Sequence, residues 1–387
     1  MNCRPYHRFL CSCRHQVPGS PFFAFFFLML YSLPDLLTFA ALNRDALYMK
    51  RCFELARMGA GYVAPNPMVG AVLVYNDIII GEGYHQQYGL AHAEVNCINS
   101  VKAEHRSLVS SGTLYVSLEP CAHFGRTPPC ADLIIEYKIP KVVIACRDAF
   151  AKVNGQGILK LRTAGIEVTE GVLEEEALEL NKRFFCFHKN QRPYIILKWA
   201  QTADGFIARE NYDSIAISND LTNRWVHQMR ANESAIMVGT NTVLSDNPSL
   251  TTRLWPGKNP LRIIIDKQLK AGGNAAVFNE DAEVIVMNEL AERQEGHIHF
   301  AKISNTEKLL PQLMRLLFKK NITSLIVEGG SFLLQSFVEE GLWDEAWSVT
   351  NETLQLQSGI PAMVLPAEKK GGQMYISTDR VDHYLNK

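Results

Sequence analysis

The sequence predicts two consecutive α/β domains, and three observations carry that reading. Short apolar runs of strand length alternate with amphipathic helical stretches through most of the chain. The 387 residues, 47% apolar and 20% charged, exceed what one ordinary core organises. Arg192 and Pro193 punctuate the alternation midway, so the division is expected there, with domains at 43–190 and 193–387.

Ahead of the first domain, a basic start (Arg4, His7, Arg8, Arg14, His15) precedes an aromatic-rich apolar run from Pro21 to Leu37. The pattern resembles a signal peptide, yet Pro34 and Asp35 break the run and no small-x-small cleavage site follows. Residues 1–42 are therefore read as an extension outside the fold, with a targeting or anchoring segment as the alternative. From Asp45 to Ala60, Leu47, Met49, Cys52, Phe53, Leu55, Ala56 and Met58 recur at helical spacing and end at a glycine-containing break. Pro65, Asn66 and Pro67 force a rigid loop, and Val69–Tyr75 and Ile78–Gly83 read as strands around an Asn76–Asp77 turn. A helix over Ala91–Val101, a strand over Thr113–Leu118, a helix over Pro129–Tyr137 and a strand over Lys141–Ala145 follow. Helices over Gly157–Ala164 and Glu174–Phe187 then flank a short strand, Glu167–Thr169. Together these make a three-layer α/β domain.

The second half opens on a strand over Tyr194–Ala200 and a helix over Asn219–Ala231, capped by Ser218 or Asn219. Ala235–Val238, Leu261–Asp266, Glu283–Met287 and Ser324–Val327 are continuous apolar runs of the type buried in a mostly parallel sheet. Helices over Leu309–Lys320 and Ser331–Glu339 complete the pattern.

Lysine plus arginine (39) balances aspartate plus glutamate (40), leaving a net charge of -1 and no broad basic footprint for nucleic acid or an anionic membrane. Small, locally bound substrates fit better. Nine scattered cysteines read as reduced thiols, a few recruited for metal, which suits a cytoplasmic location.

His92, Cys121 and Cys130 supply three zinc ligands and leave a fourth position for water. Zinc lowers the pKa of a bound water, and a carboxylate that is not a ligand then moves its proton to a leaving group. Glu94 is placed for that catalytic role. Two residues on a regular helix stand about 200° apart, so His92 is expected in the irregular first turn of its helix. Cys130 follows Pro128 and Pro129 at another helix start, where unpaired N–H groups favour a thiolate. His-x-Glu followed by Pro-Cys-x-x-Cys marks the zinc nucleobase deaminases. Here eight residues, Ala122–Pro129, separate the two cysteines. That loop is placed to carry substrate-specific groups, and Arg126 suits a phosphate. The competing reading is a structural zinc site in a non-enzymatic protein, with His123 as a fourth ligand. A deaminase acting on nucleic acid would need a basic groove that the charge balance does not suggest. In the second half, Gly329 and Gly330 between strand and helix let a backbone approach a phosphate, although no G-x-G-x-x-G fingerprint is present.

Asn66-Pro67-Met68-Val69-Gly70, His92-Ala93-Glu94 and Glu119 through Cys130, with Gly125-Arg126-Thr127-Pro128-Pro129, closely resemble the bifunctional riboflavin biosynthesis deaminase/reductase family, whose spacing also has the eight-residue gap. The resemblance continues through Lys198–Gly205, Gly239–Arg253 and Glu328-Gly329-Gly330. It implies a cytidine-deaminase-like three-layer domain followed by a dihydrofolate-reductase-like α/β domain. It implies one Zn2+ per chain and hydrolytic deamination of a diaminohydroxyphosphoribosylaminopyrimidine, with Asn66 and His123 on the pyrimidine and Arg126 on the ribose phosphate. It further implies that NADPH, held by Ala200, Thr242, Asp246 and the segment from Gly330, reduces the ribosyl chain to ribityl. Ser214, Arg230, Leu250, Arg253 and Glu328 would then contact that substrate, and homo-oligomers would form through the reductase domain. Plainer readings stand beside these: Asn66 as a turn residue, Asp246 as a cap, Arg230 on a solvated helix face. His85 and His105 read as solvated or locally hydrogen-bonded, and Cys52, Cys97, Cys146 and Cys186 as small core residues. The chain departs from the family at Asn247 (usually Asp), Ala216 (Trp) and Thr202 (often Ser). Asn351-Glu352-Thr353-Leu354-Gln355 replaces a Pro-Lys-Leu-Leu-Gly-like segment, which questions the last strands and admits a deaminase with an inactive reductase half.

Overall fold

The structure, a computed structural model, describes residues 33–124, 128–149, 154–211, 213 and 215–386, with side chains from Arg44 onward. Arg126, Ser214 and residues 1–32 of the expected extension lie outside the described residues.

Helix α1 (Leu33–Arg57) begins inside the stretch expected to precede the fold and stops three residues before Ala60. Pro34 sits in its first turn, where a missing N–H costs nothing. Its end is set by packing, because a Cβ on Gly59 would lie 2.6 Å from His85 O. Met49, Cys52, Phe53 and Ala56 are buried on one face of α1. That face rests on strand β1 (Gly70–Tyr75) so closely that a Cβ on Gly70 would come within 2.0 Å of Cys52 O.

The first sheet joins β1 to β2 (Ile78–Tyr84), β3 (Thr113–Val116), β4 (Lys141–Ile144) and β5 (Glu167–Glu170) in the order β2-β1-β3-β4-β5. β1 is antiparallel to both neighbours, while β3, β4 and β5 run parallel. Alternation along each strand divides the core in two. Leu73, Leu114 and Val142 face helices α2 (Ala93–Ser100), α3 (Cys130–Glu136) and α4 (Gln156–Thr163). Val72, Tyr115 and Val143 face α1 and α5 (Glu174–Leu180). The expected three layers are present. The helix read as continuous over Glu174–Phe187 is instead two, α5 and α6 (Lys182–Asn190). Asn181 breaks it, because its buried side chain accepts from Met68 N (2.8 Å) and donates to Met68 O (2.9 Å), bracing the Pro65–Pro67 loop.

The second sheet has ten strands. Seven run parallel at its centre: β6 (Tyr194–Thr202), β8 (Ala235–Gly239), β9 (Leu261–Ile265), β10 (Val284–Asn288), β12 (Ile298–Lys302), β13 (Ser324–Glu328) and β14 (Glu345–Asn351). Antiparallel strands close the two edges: β11 (Arg293–Glu295) on one side, β17 (Asp379–Leu385) and the bulged β16 (Lys370–Ile376) on the other. β7 (Phe206–Ala208) and β15 (Ile360–Pro361) pair separately. Helices α9 (Leu309–Lys319) and α10 (Ser331–Glu339) bury Leu313, Leu317, Leu334 and Phe337 on one face. Val243 of α8 (Thr240–Asp246) and Met229 of α7 (Asp220–Asn232) pack on the other. Asn219 caps α7, accepting from Thr222 N at 3.0 Å. The divergent tail therefore does form strands, and Asn351 anchors them by donating to Ile217 O at 2.7 Å.

Helix α6 is clamped to the second sheet. Lys182 Nζ lies 2.9 Å from Glu345 Oε2, Arg183 pairs with Glu233, and Arg192 forks onto Asp344 at 2.6 and 2.8 Å. The Phe187 and Phe318 rings meet at 4.8 Å. Among the described residues, no helix is long and apolar enough to cross a membrane.

Candidate active sites

The first site is built where α2 and α3 begin. His92 is the N-cap of α2, with extended backbone (φ -73°, ψ 168°), so its ring leaves the helical register while Glu94 occupies the first turn. A Cβ on Gly83 of β2 would lie 2.2 Å from Cys97 N, so α2 is seated backbone against backbone. Cys130 opens α3, and its N–H donates to Cys121 Sγ at 3.3 Å. His92 Nδ1 lies 3.6 Å from Cys121 Sγ and 3.3 Å from Cys130 Sγ. All three donors fall within 4.8 Å of one another. Tetrahedral zinc with ordinary Zn–N and Zn–S bonds separates N from S by about 3.5 Å, so the set fits that ion. Among the described residues no fourth protein donor joins the set.

Burial pushes the Glu94 carboxyl up, with His92 pulling it part of the way back. The hydrogen bond to Cys121 raises His92, and the Cys130 thiol, hydrogen-bonded to Cys121, holds the Cys121 thiol well down. A cavity of about 350 Å³ is lined by Asn66, His85, His92, Glu94, Cys121 and His123, and it extends to Phe187 and His188 of α6 and to Asn321 of the second half. His85 is buried and hydrogen-bonded rather than solvated. Its Nδ1 faces Ala91 O (3.0 Å), which can only accept, so the ring proton sits there. Nε2 then accepts from Asn66 Nδ2 at 3.1 Å, which leaves Asn66 Oδ1 as its free acceptor toward an amine or ring N–H. Spacing gave no signal for this His85 relay. His105 lies on the surface beside Glu104 (3.9 Å), and Cys52, Cys97, Cys146 and Cys186 are buried free thiols.

The second site is a cleft of about 380 Å³ at the carboxyl ends of β6, β8 and β13, the usual place for a ligand on a parallel sheet. Ala200, Thr242, Asp246, Glu328 and Gly330 line it together. Gly329 has φ +139°, and a Cβ there would press on Thr242 Oγ1 at 3.0 Å. Gly330 is the N-cap of α10, which presents open backbone N–H groups to an anion. Arg230 is not on a solvated face. It forks onto Glu328 at 3.0 and 2.8 Å and donates to Thr251 O at 3.3 Å. Burial pushes Glu328 up, but Arg230 and Lys198 outweigh that and hold it down to about 2. Lys198 lines the cleft beside this pair, and its position within a strand run carries no sequence signal for that place. Leu250 is buried in the core at φ +54° and Arg253 is turned out, donating to Ser249 Oγ at 2.9 Å, so neither lines the cleft. Ala216 lines the cleft where a Trp was expected. Asn247 accepts from Ala276 N (2.7 Å), and Thr202 donates to Asp204 (2.6 Å), so both are used structurally.

Residues 42–146 match the family model described as the cytidine and deoxycytidylate deaminase zinc-binding region, and residues 193–350 match that of the RibD C-terminal domain. Riboflavin biosynthesis protein RibD of Aquifex aeolicus is 44% identical over 309 residues, covering 78% of this chain and 85% of that protein. The protein of the same name from Escherichia coli is 35% identical over 324 residues, covering 78% and 86%. A diaminohydroxyphosphoribosylaminopyrimidine deaminase/5-amino-6-(5-phosphoribosylamino)uracil reductase of Thermotoga maritima has a similar solved structure, with TM-score 0.82 at 37% identity over 89% of this chain and 99% of that one. Acinetobacter baumannii RibD gives 0.79 at 31%, with the same coverage.

Proposed function

The chain belongs to the riboflavin biosynthesis protein RibD family, and we propose that its two sites act in turn on one phosphoribosylaminopyrimidine, deaminating it and then reducing its ribosyl chain. It is a bifunctional enzyme with a deaminase domain followed by a reductase domain, which we divide at 43–190 and 193–387.

His92, Cys121 and Cys130 would hold one zinc per chain, which when bound would supply Lewis acidity to a water. Glu94 would take a proton from the attacking water and deliver it to the departing amine, which leaves as ammonia. A carboxyl raised by burial suits both halves of that transfer. Asn66 Oδ1, aimed by His85, accepts from the pyrimidine, with His123 beside it at the cavity and Arg126 as the phosphate partner. In the reductase cleft NADPH supplies the hydride, and the chain's task is to hold and orient. Ala200, Thr242, Asp246 and the Gly330 turn line the cofactor's side. Glu328, fixed by Arg230, meets the substrate, with Ser214 as a further substrate contact. The balanced charge and thiol content support a cytoplasmic enzyme of small molecules.

The observation that carries this reading is the tetrahedral spacing of three soft donors with a buried glutamate in the first turn beside them. The test is a spectrophotometric assay of purified chain with the diamino substrate and NADPH. Glu94→Gln should keep its zinc, lose deamination by about 10²-fold or more, and still reduce supplied deaminated product. Unchanged deamination in that variant would overturn the proton role, and a wild-type chain unable to reduce the deaminated product would favour an inactive second half.

A further inference from the structure

Glu119 takes part in no step above, yet its carboxylate is only 3% exposed and is saturated by backbone. Oε1 accepts from Gly157 N (2.9 Å) and Ile158 N (3.3 Å), and Oε2 from Gly155 N (2.9 Å) and Asp148 N (3.2 Å). Three of these donors belong to the start of α4, so the carboxylate fills the electropositive end of that helix. The backbone of Glu119 is fixed too, since its N–H donates to Cys146 O at 3.0 Å just beyond β4. Pro120 is gripped from the same side: a Cβ on Gly157 would lie 2.0 Å from Pro120 O, so α4 presses directly on the peptide leading to Cys121. Cys121 itself lies in no helix or strand, unlike His92 and Cys130, which are carried by the starts of α2 and α3. The start of α3 holds Cys121 from one side, through Cys130 N–H to its sulfur (3.3 Å) and Ala131 N–H to its carbonyl (3.1 Å), and the Glu119–Pro120 segment holds it from the other.

We propose that Glu119 is the positioning residue for Cys121: by seating its carboxylate in the start of α4 it fixes the Glu119–Cys121 segment, and so sets how firmly the zinc site closes. This role rests on the zinc reading of His92, Cys121 and Cys130. Substitution by Gln keeps the shape but turns one acceptor into a donor that faces two backbone N–H groups. Partners of this kind, one step behind the ligands, govern metal affinity by about 10–100-fold when removed.

The experiment uses the full chain as wild type, Glu119→Gln and Glu119→Asp, loaded with zinc or cobalt(II). Zinc release to a coloured chelator and the thiolate–cobalt absorption spectrum are recorded, with reduction of supplied deaminated product as the control for an intact second domain. Glu119→Gln should release zinc about tenfold faster or more, shift the cobalt spectrum, and reduce supplied product at the wild-type rate. Glu119→Asp, which keeps the charge on a shorter arm, should fall between the two. If Glu119→Gln fails to fold, the aspartate variant decides: release at the wild-type rate overturns the role, and faster release supports it. Folded Glu119→Gln with wild-type release and spectrum also overturns it. A wild-type chain that binds neither zinc nor cobalt overturns the metal reading itself, a result distinct from wild-type binding with an indifferent Glu119.

Discussion

The ion pair at the floor of the reductase cleft makes the stability of the second domain depend on pH, and one substitution should remove that dependence. Glu328 titrates at about 2 in the fold against an ordinary 4.5, because Arg230 and Lys198 outweigh its burial. A folded pKa below the unfolded one gives stability that is complete above pH 4.5 and is lost as pH falls toward 2. The shift, 4.5 less about 2, is about 2.5 units, or roughly 3 kcal/mol at 1.36 kcal/mol per unit. By the same relation roughly 2 kcal/mol of it is gone at pH 3. Glu328→Gln deletes the titrating group and leaves Arg230 buried without its forked partner, so at pH 7 it should cost about 3–5 kcal/mol. The gap between the two proteins should then narrow by roughly 2 kcal/mol between pH 7 and pH 3. Urea unfolding read by tryptophan fluorescence isolates the right domain, since all five tryptophans (Trp199, Trp225, Trp255, Trp343 and Trp347) follow Pro193. Other carboxylates titrate equally in both proteins and cancel in the difference. A gap that stays constant from pH 7 to pH 3 would refute the reasoning.

Two further outcomes are open to direct measurement. Stripping the metal with a chelator should abolish deamination while leaving reduction of supplied deaminated product intact; loss of both rates together would contradict separate sites. Asn181→Ala removes both bonds to Met68, so it should destabilise the deaminase domain by about 1–3 kcal/mol and raise KM for deamination, because Met68 follows the Asn66 loop directly. A KM equal to wild type would show that the loop holds its place without Asn181.

What the sequence made legible was whatever burial imposes locally. The parallel strands around Ile195–Leu197, Ile263–Ile265 and Leu325–Val327 are apolar on both faces, and so stand out as runs. The His92, Cys121 and Cys130 cluster was legible because its spacing is a local signal, and the convergence of His92 and Glu94 demanded the irregular turn that His92 supplies. Tertiary reasons stayed hidden. Nothing near Asn181 announces that its amide reaches back 113 residues to Met68 and splits a helix. β14 was missed because it buries polar side chains: Glu345 accepts from Tyr194 Oη at 2.9 Å, a contact across 151 residues that no local window shows. Lys198 sat inside a strand run and drew no role, because only the fold brings Glu328 and Arg230 beside it. Leu250 and Arg253 entered by family resemblance alone, and the chain turns both away from the cleft lining through the positive-φ corners at Asn247 and Leu250.

The outermost strands of the two sheets have a bearing on how this enzyme behaves when concentrated. β16 is exposed along most of its length, but its pairing slips between Lys370 and Gly372, and a bulged, lysine-bearing border twists away from any flat strand offered to it. At the opposite border β11 is three residues long, Arg293-Gln294-Glu295, and wholly exposed. β5 carries Glu167 and Glu170, each engaged by a neighbouring cation. Among the described residues that leaves β2, which opens with exposed Ile78 and Ile79, as the border where a foreign strand would meet unpaired backbone and an apolar surface together. Resistance to aggregation in the folded state is therefore weakest at that one short end of the deaminase sheet, on the strand that leads directly into His85 of the first site.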